Sequence, residues 1–247
     1  MGSFIHVYTD GGGIREARVP DDFSGMGSVP FVLKFPGFKK CLLASLAASG
    51  NQASRTSNIV TIAATAHGIP TGSTYVGFRF FYPGSASLAA GWYDSITDVQ
   101  TNTISFNAPG ANFGSENVNG GVAYTTLTTI NSLIIPAGTV KPNTRITTNI
   151  LRGGDTTTVT KTVRNVFSTR QLGVGTQTTG PQCWHRMSIH CDETGGLAVA
   201  NNDGTGAISL ASGAIDFSVD QTLSISGSLS TASGFLVVYN ASVEIVQ

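Results

Sequence analysis

From about residue 56 onward the chain alternates apolar with small polar residues at a period of two, and Gly, Pro or Asn breaks the alternation at short intervals. Successive strand side chains point to opposite faces, so this pattern buries one face and wets the other; a helix, with its period of 3.6, cannot. "NIVTIAATAHGIPTGSTYVGFRFFYPGS" sets Val60, Ile62 and Ala64 on one face, turns at His67-Gly68 with Pro70 and Gly72, and resumes as a strand through Tyr75 to Tyr82. "GWYDSITDVQTNTISFNAPG" repeats the design, with a turn at Thr101-Asn102, a strand through Ile104 and Phe106, and a stop at Pro109-Gly110. The spacing predicts a small antiparallel β module over residues 56–120.

A glycine-rich link, "NVNGGVAY", leads into the second half, residues 121–247. There Gly153-Gly154-Asp155 predicts a hairpin between strands of alternating Ile, Thr and Val, and Asp203-Gly204 another turn. The end runs strand after strand, "AIDFSVDQTLSISGSL" and then "GFLVVYNASVEIVQ". About eight short strands in this half imply a β-sandwich or jelly roll. Residues 1–55 differ: Gly11-Gly12-Gly13, "VPDDFSG" and "VPFVLKFPGFKK" alternate apolar patches with Gly and Pro and predict an irregular docking arm. Within it "FKKCLLASLAAS" predicts one short helix with Leu42, Leu43 and Leu46 on one side, stopping at Gly50-Asn51. The expected fold class is therefore all-β: arm, small β module, then sandwich.

Composition fits that class. Charged residues are 11% of the chain, against roughly 25% in typical soluble domains. Zero net charge with 9% aromatics does not describe disorder. Nor does it supply the basic field that nucleic acid or an acidic membrane needs, so neither is an expected partner. The sign is uneven, however. Lys141 to Arg186 holds seven basic residues and one acid, Asp155, whereas Asp192 to the end holds six acids and no Lys or Arg. The two segments either pair within one fold or meet head to tail between subunits.

Three cysteines, Cys41, Cys183 and Cys191, make no closed disulfide framework. "MGSFIHVYTDGGG" lacks the basic start and apolar core of a secretory signal, so synthesis in a cytoplasm is expected, with the cysteines as thiols. "CWHRMSIHC" (183–191) looks like a zinc set until its geometry is considered. As a straight strand it holds Cys183 and Cys191 roughly 26 Å apart, far beyond the shared coordination zinc requires. Alternation sends Cys183, His185, Met187, Ile189 and Cys191 to one face and Trp184, Arg186, Ser188 and His190 to the other. No metal or cofactor is expected.

Other motifs fail on spacing. "GGGIREAR" is no dinucleotide or Walker loop. Ser85 and Ser87 in "GSASLAAG" lack the nucleophile-elbow spacing. Asp94 and Asp98 beside Trp92 and Tyr93 evoke a glycosidase. On an extended strand, however, they lie roughly 13 Å apart, too far to flank one glycosidic bond. The sequon Asn240-Ala241-Ser242 falls in an expected strand, and His67 is expected to bond backbone in its turn. No catalytic residue emerges.

The ordered set "IPAGTVKPNTRITTNILRGGDTTTVTKTVR" (135–164), the "WHRMSIH" strand and "FSVDQTLSISGSLSTASGFLVVYNASVEIV" (217–246) resembles a C-terminal jelly-roll module of tailed-bacteriophage virion structural proteins. "VTIAATAHGIPTGSTYVGF" (60–78) is similar to a His-Gly-turn module of phage virion proteins. The resemblance implies a non-enzymatic virion component, decorating or reinforcing the capsid or forming a head fibre. It further implies a homotrimer whose partners are the major capsid protein or other virion proteins. The alternative is a tail or head fibre that binds a host receptor or surface glycan, with Tyr82, Trp92, Tyr93 and Trp184 as its contacts.

Overall fold

The computed structural model describes residues 4–8, 14–18, 31–35, 38–44, 46, 52–65, 67–119, 127–155, 160–167, 170–177, 183–191, 197–202, 215–230 and 234–246. Among them every regular element is a strand. β1 (Phe4–Tyr8) and β2 (Ile14–Arg18) pair with each other as a two-stranded ribbon. β3 (Phe31–Lys34) and β4 (Cys41–Ala44) follow. β5 (Gln52–Thr56) begins within the expected arm, and the expected module supplies β6 (Ile59–Ala63), β7 (Arg79–Tyr82), β8 (Gly91–Tyr93), β9 (Ile96–Gln100), β10 (Thr103–Asn107) and β11 (Phe113–Asn117). The C-terminal half supplies β12 (Thr128–Ile135), β13 (Arg145–Gly154), β14 (Lys161–Phe167), β15 (Arg170–Gln177), β16 (Cys183–Cys191), β17 (Leu197–Asn202), β18 (Gln221–Leu229) and β19 (Phe235–Val246). Their number among the described residues agrees with the count of about eight that the sequence predicts.

Three larger sheets result. A five-stranded sheet has the order β11-β5-β6-β10-β9 and a four-stranded sheet the order β12-β18-β14-β15. Between them lies the largest, ordered β17-β16-β13-β19-β4-β7-β8, with β3 also on β19. This central sheet divides two apolar cores. Ile146, Ile150, Met187, Leu236 and Val243 on one face pack with Val163, Leu223 and Ile225 of the four-stranded sheet, which makes the C-terminal sandwich. On the other face Leu42, Phe80, Tyr82, Phe235 and Val237 pack with Val60, Ile62, Ile104 and Phe106 of the five-stranded sheet.

The short helix expected within 38–49 is instead strand β4 at Cys41–Ala44. "CLLA" is buried at all four positions. Leu43 belongs to the sandwich core and Leu42 to the other, so the two leucines point in opposite directions. A short continuous apolar run suits a strand buried on both faces as well as a helix, and periodicity cannot separate them. Here the open edge of β19 decides, since Cys41–Ala44 pairs with Val238–Phe235. Residues 45 and 47–50 lie outside the described part.

The arm is corrected in the same way over its last third. β3 pairs with Ser242–Ile245 at the far end of β19, so β3 and β4 lie along one edge of that strand. β3 and β4 thus dock on their own chain. Gly11-Gly12-Gly13 lies outside the described residues, as do Asp203-Gly204 and most of the link before β12.

Among the described residues, the hairpin expected at Gly153-Gly154-Asp155 is not seen. β13 pairs with β16 and β19, whereas β14 pairs with β15 and β18, so the chain crosses here from one sheet of the sandwich to the other. Gly154 is needed for close approach rather than for a turn. A Cβ there would sit 2.7 Å from the Phe235 carbonyl oxygen and 3.0 Å from Cδ of Lys161. The strand expected from Tyr75 is also shorter, because residues 74–77 turn before β7 begins at Arg79. The hairpin at Thr101-Asn102 does form, joining β9 to β10.

Candidate functional site

β16 keeps the alternation read from its sequence. His185, Met187, Ile189 and Cys191 are buried, and Trp184, Arg186 and His190 are exposed. His185 and His190 therefore lie on opposite faces and cannot share an ion within one chain. The Cys183 side chain lies outside the described part. Burial pushes the Cys41 thiol up to about 12, which keeps it protonated and unreactive.

The four aromatic side chains proposed as ligand contacts are not brought together. Tyr82 is a correction: it is fully buried against Phe106 and Tyr93 in the second core and offers nothing to a ligand. Its strand is short and buried alternately, and the pattern "RFFY" gave no sign of which tyrosine face would be covered. Trp92 and Tyr93 are half-buried, and their polar atoms are engaged within the chain. Trp92 Nε1 donates to the Thr129 carbonyl at 2.8 Å, and the Tyr93 hydroxyl donates to the Ala89 carbonyl at 2.9 Å.

Trp184 alone is open, with 58% of its surface exposed. It lies five strands from Trp92 in the central sheet, roughly 24 Å away at about 4.8 Å per strand. Register sets Trp184 beside Leu151, and Arg186 beside Asn149 in the next row. Thr147 and Ser188 join their hydroxyls at 3.0 Å in the row after that. The face is therefore open around Trp184 and Arg186, half-covered at Asn149, Leu151 and Ser188, and closed at Thr147, which is fully buried.

The two acids near Trp92 are separated by a corner. Ser95, at φ 60°, ends β8's path in the central sheet and starts β9 in the five-stranded one. Asp94 accepts from Lys39 Nζ at 2.7 Å and pairs with Arg79 Nε at 3.2 Å, while Arg79 lies over the Trp92 ring. The Lys39 hydrogen bond, ahead of the other contacts, holds the Asp94 carboxyl below the usual carboxylate range. Asp98 instead accepts from the Gln100 amide at 2.8 and 3.1 Å. Asp94 thus stays ionised, a poor general acid, and Asp98 faces another environment.

His67 bonds backbone, as expected of its turn. Its Nε2 meets the Gln100 carbonyl at 2.7 Å and its Nδ1 accepts from the Ile69 amide at 3.1 Å, which specifies a neutral ring with the proton on Nε2. Burial pushes its pKa below the ordinary histidine value. A depressed histidine contributes stability that is present above its unfolded value, about 6.5, and is lost as pH falls through the folded value. Melting temperature is therefore expected to fall between pH 7 and pH 5, and His67→Gln to flatten that fall.

Sequence reasoning missed a buried charged cluster at the sheet crossover. Arg152, Asp155 and Lys161 are 3%, 8% and 1% exposed. Lys161 Nζ is paired with Asp155 Oδ1, the Phe235 amide donates to Asp155 Oδ2 at 3.2 Å, and Arg152 Nη1 donates to the Lys161 carbonyl at 3.4 Å. A signal was present: in "TKTVR" Lys161 is in phase with Val163, an inward position.

No protein-family model matches the chain, and no curated protein is significantly similar to it.

Proposed function

We propose that this chain is a non-enzymatic structural protein of a tailed-bacteriophage virion, decorating or reinforcing the capsid, or forming a head fibre, as a trimer. The observation that carries the reading is the order of the C-terminal motifs along one sandwich. "IPAGT" leads from β12 toward β13, "TKTVR" enters β14, "WHRMSIH" is β16, "VDQTLSISG" enters β18, and "VEIV" ends β19. The low charge suits surfaces meant to be covered by neighbours, because a buried charge is costly unless paired. Asp94 is committed to Lys39 and Arg79, which leaves a polysaccharide-hydrolase reading without its acid.

The exposed Trp184, flanked by Leu151 and Arg186, favours a second reading, a fibre that stacks a host-surface sugar on this ring. One binding experiment separates the two. A decoration protein adsorbs as purified full-length chain to emptied heads that lack it, and not to host cells. A fibre adhesin binds host cells and loses that binding in Trp184→Ala. Adsorption to neither would remove both readings.

A further inference from the structure

We propose that Lys161 and Asp155 are joined by an intramolecular isopeptide bond across the sheet crossover. The pair lies at the end of β13 and the start of β14, with side chains 1% and 6% exposed. Asp155 Oδ1 lies against the Lys161 nitrogen, closer than an ordinary ion pair brings the two atoms. Gly154 packs directly against the lysine stem: a Cβ there would lie 3.0 Å from Cδ and 3.1 Å from Cε. The approach is therefore fixed by packing, and a held nucleophile reacts at a high effective concentration.

The atoms balance without an oxidant or co-reactant. Lys161 passes a proton to Asp155 Oδ1, and the neutral amine attacks Cγ. Charge gathers on Oδ2, where the Phe235 N–H already donates at 3.2 Å, as an oxyanion donor does. A second proton follows from nitrogen to Oδ1, the Cγ–Oδ1 bond breaks, and water leaves. An ammonium and a carboxylate become one amide and one water. In bulk water the ions are well solvated, but in this core their desolvation is costly and a neutral amide avoids it. The bond would tie the two sheets of the sandwich together, and it does not depend on the function proposed above.

Trypsin digestion of the purified full-length chain tests this directly. The expected product is a single peptide spanning residues 153–164, uncut after Lys161, lighter than its sequence by one water and silent to backbone fragmentation between Asp155 and Lys161. Cleavage after Lys161 to give a peptide of unmodified mass would overturn the proposal. So would the loss of one water with cleavage intact, since that marks a succinimide at Asp155. Lys161→Met is expected to restore the full mass; if it does not fold, the wild-type digest decides alone.

Discussion

Leu42→Ala and Leu43→Ala are each expected to lower the unfolding free energy by about 2–5 kcal/mol, although the two residues are adjacent. Both are buried, at 0% and 1%, and each fills a different core. Leu42 lies beside Phe80 and Val237 in the sheet, opposite the five-stranded sheet. Leu43 lies beside Leu236 and faces the sandwich. On an ordinary strand with one wet face, one of two neighbours is exposed and its truncation costs less than about 0.5 kcal/mol. Urea unfolding of the two variants checks the placement of β4, and a negligible loss in either contradicts it.

Asp155→Ala is the second large effect, an expected loss of about 3–5 kcal/mol, because it strands the Lys161 side chain in a dry core. The double variant Asp155→Ala/Lys161→Met should recover the part of that loss that comes from the stranded charge, though not the part that comes from the lost cross-link, since a hydrophobic replacement of similar volume removes the charge too. Denaturation of the single and double variants reads this directly. A double variant no more stable than the single would place the cost elsewhere, in the contact between Asp155 and the Phe235 amide.

The period-two alternation carried most of the architecture. It predicted about eight short strands in the second half and told the inner from the outer side of β16, so Trp184 was found exposed and His185 buried. It was silent on what covers a strand. "CLLA" has no alternation to read because both of its faces are covered, and tyrosines such as Tyr82 and Tyr93 look alike until the sheet above them is known. Glycine at 153–154 suggested a turn because turns are the commoner reason for it, whereas here the backbone of Phe235 needs the space. Lys161 and Arg152 were overlooked for a chemical reason: charge usually marks the wet face, and their in-phase positions were the only sign of burial.

Placement of β4 also changes how the N-terminal arm can be tested. A truncation to residue 55 removes β3, β4 and nearly all of β5 and with them part of both cores, so a deletion aimed at docking has to stop before Phe31.

The central claim is membership of a virion, and its most direct test is quantitative mass spectrometry of nuclease-treated, gradient-purified particles from a phage encoding this chain. The chain is expected to sediment with the particles, at a copy number comparable to the shell protein for a decoration role and only a few for a fibre. Recovery of the chain solely in the soluble lysate, with none in the particles, would contradict it.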